Sequence, residues 1–151
     1  MVLGKSYCPE DDIDKTKFFF DALEAVNEFT YEQYDGYSKS GSAHSIYLKP
    51  FLIALEWQPV KAEGGVFLFS YDVKKNEYYT FHAYAFQTKT KFYPGSFDLS
   101  ECKINFEISE RERIELILLG KNSFNIHIEA FDEKSEAYST VSDFRFRKSA
   151  N

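Results

Sequence analysis

The chain has 151 residues, 44% of them hydrophobic and 19% aromatic, and its 18 Lys and Arg against 24 Asp and Glu leave a formal charge of −6. So much ring area excludes a disordered chain, and a single domain of this length can bury roughly 68–70% of its unfolded surface without a metal or a disulfide. The basic residues are scattered, with Arg145, Arg147 and Lys148 the nearest thing to a run, which argues against nucleic acid and anionic membrane as partners.

Residues 1–10 read as a tail and 11–148 as one domain. Asp11 and Asp12 supply an N-cap and early negative charge. Ile13, Thr16, Phe20, Leu23 and Asn27 then recur at helical spacing, with Phe19 and Val26 widening the stripe. This predicts one amphipathic helix over 12–26.

Strand texture follows. Segment 29–39 is Tyr-rich and broken by Asp35-Gly36, a turn or bulge signal. Segment 43–49 alternates and stops at Pro50. Segment 51–57 aligns Phe51, Ile53, Leu55 and Trp57 on one face. After a Gly64-Gly65 turn comes Val66–Tyr71, then a polar loop, Asp72–Asn76, then a long strand over 77–88 that is apolar on both faces. Pro94-Gly95 reads as a turn. Cys102, Ile104, Phe106 and Ile108 alternate with polar residues, as do Ile114, Leu116 and Leu118, then Phe124, Ile126 and Ile128, then Phe144 and Phe146.

These are about nine sequential strands on short connections, which favours an antiparallel meander. Closure removes the exposed edges of so large a sheet. The expected fold is therefore mainly β, an antiparallel up-and-down barrel of about nine strands with one N-terminal helix packed on an end. A two-sheet sandwich and an α+β cone are the alternatives.

From Val66 to Lys148 the cadence resembles the calycin group, the lipocalin-like barrels. The resemblance runs through Ser70-Tyr71-Asp72, the hairpin Lys74-Lys75-Asn76, a long aromatic strand, a turn at Gly95–Asp98, strands centred on Phe106, Leu116 and Ile126, and a closing FRFRK. It implies a barrel and a generic small-molecule-binding role. The Gly-x-Trp that lipocalins carry near the first strand is missing, since the only Trp, Trp57, falls in the third, so no site transfers with it.

Motifs for chemistry are scarce. No G-x-S-x-G, Gly-rich phosphate loop or H-E-x-x-H occurs. His44, His82 and His127 fall on separate strands without metal-ligand spacing, so neither a metal nor another cofactor is expected. Cys8 and Cys102 could form one disulfide, which the sequence leaves open, and the plainer reading is two free thiols of a reducing compartment; the acidic N-terminus lacks an apolar signal core, so a cytoplasmic setting is expected without a membrane span. Glu56, Glu115 and Glu129 alternate with apolar residues and read as outward, solvated charges.

The aromatic supply points instead to a small apolar or amphipathic ligand held in the barrel lumen. The candidate contacts are Tyr47, Trp57, Tyr79, His82, Tyr84 and His127. Two alternatives stand beside this reading. One is a filled barrel acting through its surface as a homodimer, motivated by the strands that are apolar on both faces. The other is a calycin-type isomerase or lyase using His82 and His127.

Overall fold

A computed structural model of the chain describes residues 12–33, 36, 38–48, 51–61, 63–84, 92–98, 101–119 and 123–148, with the backbone alone at 12–15, 18, 25, 33 and 82–84. A helix, α1 (Asp12–Ala25), precedes ten strands: β1 (Glu28–Gln33), β2 (Ser38–Leu48), β3 (Leu52–Pro59), β4 (Gly65–Asp72), β5 (Glu77–Tyr84), β6 (Tyr93–Asp98), β7 (Lys103–Glu107), β8 (Glu112–Leu118), β9 (Ser123–Asp132) and β10 (Ala137–Arg147). Each strand pairs antiparallel with the next, and β10 pairs with β1 to close the barrel. Closure excludes both the sandwich and the cone, because every strand has two neighbours.

Side-chain alternation sorts the strands into an apolar inside and a mixed outside. Ile53, Leu55, Phe67, Ile114, Phe124, Ile126 and Phe144 face inward and are fully buried. The rings pack on one another: Phe67 on Phe144 at 5.2 Å, Trp57 on Phe144 at 5.1 Å, and Phe124 stacked on Phe146 at 5.0 Å.

α1 forms the floor. Phe19 meets Phe97 edge-on at 5.3 Å, and Phe20 lies between Tyr47 at 6.0 Å and Phe51 at 5.7 Å. Thr16 Oγ1 and the Tyr78 hydroxyl share a buried hydrogen bond of 2.6 Å, and Ser45 Oγ donates to the Glu24 carbonyl at the helix end. A buried hydroxyl left without a partner costs roughly 1–3 kcal/mol, so the Thr16–Tyr78 bond is what permits polar atoms in this floor.

Two hairpins use one device. Asp72 Oδ1 accepts from the Lys74 amide, and Asp132 Oδ1 from the Lys134 amide. Each turn ends on a left-handed residue, Asn76 at φ 51° and Glu136 at φ 52°. The short Asp side chain closes the turn that its own backbone begins.

Three expectations need correction. Pro94-Gly95 is not a turn but lies inside β6, and the strands number ten rather than about nine. Proline is tolerated there because β5 and β6 share only three paired positions, Tyr78↔Gly95, Tyr79↔Pro94 and Thr80↔Tyr93, so Pro94 interrupts a short ladder. Gly95 itself packs where a side chain would strike the Phe106 ring, 2.7 Å from Cε1. Cys102 is not a strand residue and not a free thiol. It occupies the turn before β7 at φ 51° and is disulfide-bonded. The only other cysteine in the sequence, Cys8, lies outside the described residues.

Candidate functional site

Of the six candidate ligand contacts, the four whose side chains are described lie in different parts of the barrel. Trp57 is buried inside, stacked with Tyr31 at 6.4 Å and against Phe29 at 5.5 Å. Tyr47 is half-buried at the floor, where burial, then the Asp21 and Glu24 carboxylates, hold its phenol above the ordinary value. Tyr79 belongs to the outer face of β5 and donates to Glu77 beside it on the same strand; that hydrogen bond is the main reason its phenol is raised. His127 is also outside, on β9, with Nε2 3.1 Å from Asp143 Oδ1. For His82 and Tyr84 the backbone is described, paired with Phe67 and Gly65; their side chains lie outside the described residues.

Two different outer faces result. The first, over β7–β10, is polar. Register aligns Asn105, Glu115, His127 and Asp143 in a row around the barrel, with Arg113 opposite Glu129 in the next row. Glu115 and Glu129 do point outward, but they are not solvated: the residues are 4% and 9% exposed. Lys103 Nζ contacts Glu115 at 2.5 Å, and Arg113 Nη2 contacts Glu129 at 2.7 Å. The Arg113 guanidinium also lies over the Tyr138 ring, 4.0 Å from its centre, which shields Glu129 from water.

The two carboxyls respond oppositely. Burial and a hydrogen bond to Glu115 raise Glu129 above the ordinary carboxylate value, against the pull of Arg113. Burial would raise Glu115 too, but the hydrogen bonds from Glu129 and Lys103, with the charges of Lys103 and Arg113, bring it below. Of the two, Glu129 is the harder to ionise and Glu115 the easier. A raised and a lowered carboxyl together are the raw material of acid–base chemistry, yet this pair lies on a convex wall. The outer cavities of about 410 Å³ (Thr30, Leu119, Asn125, Arg145) and about 380 Å³ (Thr30, Ser38, Lys39, Val60) are not lined by either carboxyl. No cluster of His, Cys, Asp and Glu able to hold a metal occurs among the described residues.

The second face, over β2–β5, is apolar. Register sets Ile46, Ala54, Leu68 and Phe81 side by side in one row across four strands. Leu48, Leu52, Ser70 and Tyr79 form the row below it, and His44, Glu56 and Val66 begin the row above. Ile46 is 53% and Leu48 56% exposed, and Phe92, 52% exposed, packs on Phe81 at 5.5 Å. This wall is the outer half of the strands read in the sequence as apolar on both faces. It spans an arc of the barrel, since the opposite arc carries the ion pairs.

No protein-family model matches the sequence, and no curated protein does. Among solved structures the chain is similar to a redesigned β-barrel, at 11% identity and a TM-score of 0.44, covering 87% of this chain and 95% of that one. The class is thus a closed antiparallel β-barrel with an N-terminal helix as its floor, as its own strand pairing defines.

Proposed function

We propose that this barrel is a non-catalytic interaction module whose working surface is the apolar wall of β2–β5, with the packed core rings holding that surface in shape. The observation that carries this reading is the row Ile46–Ala54–Leu68–Phe81. Outward positions on a barrel in water are ordinarily polar, and a contiguous apolar patch on one is ordinarily an interface. A lumen ligand would need room of roughly 300 Å³ or more, where the described interior has ring packed on ring. The polar arc over β7–β10 supports a water-facing remainder, where His127, one of the two histidines of the isomerase reading, stands beside Asp143.

An environment-sensitive naphthalene sulfonate dye separates the wall from the lumen. At submicromolar protein, dye fluorescence is expected to rise with the wild type and to fall away in Leu68→Lys. Undiminished fluorescence in Leu68→Lys would assign the dye to the interior and restore the lumen reading. No enhancement with the wild type would remove the wall as a working surface.

A further inference from the structure

The outer cavity of about 410 Å³ lies on another arc of the barrel from the apolar wall, over β9, β10 and β1. Register builds its lining. Thr30 pairs with Arg145, and Arg145 with Asn125, in one outward row; Arg147 pairs with Ser123 in the next. Glu32 and Leu119 complete the rim.

Each guanidinium is pinned by one edge. Arg145 Nε donates to Asp143 Oδ2 at 2.9 Å, and Arg147 Nε donates to Glu28 Oε1 at 2.8 Å. The two carboxylates orient the guanidinium planes and leave the Nη amino groups without a partner among the described residues. The Glu32 carboxylate and the Thr30 and Ser123 hydroxyls have none there either. Among the described residues, side-chain oxygens of Asn105, Asn125 and Asp143 are buried without a hydrogen bond, and Asn125 is the one of these residues that lines an outer cavity. A buried acceptor left unmatched costs stability unless something supplies a donor.

We propose that this cavity binds a neutral polyhydroxyl ligand, a saccharide unit, through Arg145, Arg147, Asn125 and Glu32; the site stands independently of the apolar wall. The chemistry of the lining selects that class. The Nη groups only donate, whereas the Asn125 oxygen and the Glu32 carboxylate only accept, so the ligand must offer acceptors and donors side by side. A hydroxyl does both with one atom. Charge disfavours an anion, because Asp143 and Glu28 already balance the two guanidiniums and Glu32 leaves the cavity net negative. A zwitterion brings one donor group and one acceptor group to a lining that has several of each. Leu119, 50% exposed, gives the C–H face of a sugar ring an apolar edge. The volume is that of a small-molecule site, and pinned guanidiniums lose little side-chain freedom on binding. Each contact replaces one with water, so the expected affinity is roughly millimolar.

Backbone-amide NMR of the full chain tests this, in titrations with glucose, galactose, mannose, N-acetylglucosamine, maltose and lactose. At least one sugar is expected to shift the amides of Thr30, Asn125 and Arg145 saturably, whereas inorganic phosphate and glycine leave them in place. Arg145→Met, at a side chain 59% exposed, keeps the fold and is expected to weaken binding about tenfold or more. Asn125→Val is expected to weaken binding too, yet to leave the thermal midpoint equal to or above that of the wild type, because it removes an unmatched acceptor and suits a strand. A lowered midpoint would assign the Asn125 amide to the fold and overturn the site. So would amides that no sugar moves, or shifts indifferent to Arg145→Met. Amides moved by phosphate or glycine but by no sugar would overturn the neutral ligand and put a charged one in its place.

Discussion

Glu115 on β8 and Glu129 on β9 are both bridged by Arg113 on the outside of the barrel, and their acidities are driven apart, Glu129 upward and Glu115 downward. Their linkage to stability has opposite signs. Glu129, raised in the folded state, stabilises below the unfolded carboxylate value and loses that contribution as the pH rises through its folded value. Glu115, lowered, stabilises above the unfolded value and loses its contribution as the pH falls through its folded value. Urea unfolding of the two amide variants from mildly acidic to neutral pH checks this. Relative to wild type, Glu129→Gln should gain as the pH rises, and Glu115→Gln should lose. Parallel trends in the two variants would mean that the two acidities are not driven apart.

The left-handed residue that ends each Asp-initiated hairpin predicts a stabilising change. Asn76 suits that conformation, but Glu136, at φ 52°, does not. A side chain held there costs roughly 1–2 kcal/mol, a cost that Asn escapes in part. Glu136→Asn copies the sister hairpin and should raise stability by about 0.5 kcal/mol, read as a higher thermal midpoint.

Gly95 predicts the reverse. A methyl group on it would stand 2.7 Å from Phe106 Cε1 and 2.9 Å from the Asn105 carbonyl oxygen. Phe106 is buried among core rings, including Phe69 at 5.8 Å, and has little room to yield. Gly95→Ala should destabilise by about 1–3 kcal/mol, the range for overpacking. An unchanged denaturation midpoint would show that the β6–β7 seam is looser than its packing indicates.

Within the floor, Tyr78→Phe removes one partner of the buried Thr16 bond. The expected loss is about 1 kcal/mol in chemical denaturation. Phe20→Ala, which takes a ring from between Tyr47 and Phe51, should cost about 3–5 kcal/mol. The contrast tests whether ring packing or the hydrogen bond anchors α1.

The disulfide at Cys102 is checked by reduction. Intact mass under denaturing conditions should increase by two hydrogens, and the thermal midpoint should drop, consistent with about 2–5 kcal/mol for losing a native disulfide. A mass unchanged by reductant would return Cys102 to the free thiol that its strand-like sequence context suggests.

Much of this architecture is legible in the sequence because alternation is a local property. Phe124, Ile126, Phe144 and Phe146 announce their strands unaided, and the 3–4 spacing over Thr16, Phe20 and Leu23 places α1 within a residue of where it ends. What local patterns could not carry is register. Pro94-Gly95 has turn chemistry, and only the tight approach of Gly95 to Phe106, from the neighbouring strand, makes it strand. The site was less legible for the same reason. Trp57 and Tyr79 are both aromatic strand residues, yet one faces in and the other out. Glu115 and Glu129 read as solvated until Lys103 on β7, Arg113 on β8 and Tyr138 on β10 close around them. The apolar wall was visible only as strands with too many hydrophobic residues; its coherence came from Ile46, Ala54, Leu68 and Phe81 falling in one row.

Closure by β1 and β10 also governs the order of assembly. The ladder pairing Phe29 with Phe146 joins positions more than a hundred residues apart, whereas every other pair joins neighbours in the chain. Loop-closing entropy makes such a distant pair the last to form. During synthesis the hairpins from β2 to β9 can zip as they leave the ribosome, while β1 keeps one edge unsatisfied until β10 arrives. A nascent chain stalled before Phe144 would therefore present two open edges at once, and chaperone engagement should peak at that length and fall when the final strand is released.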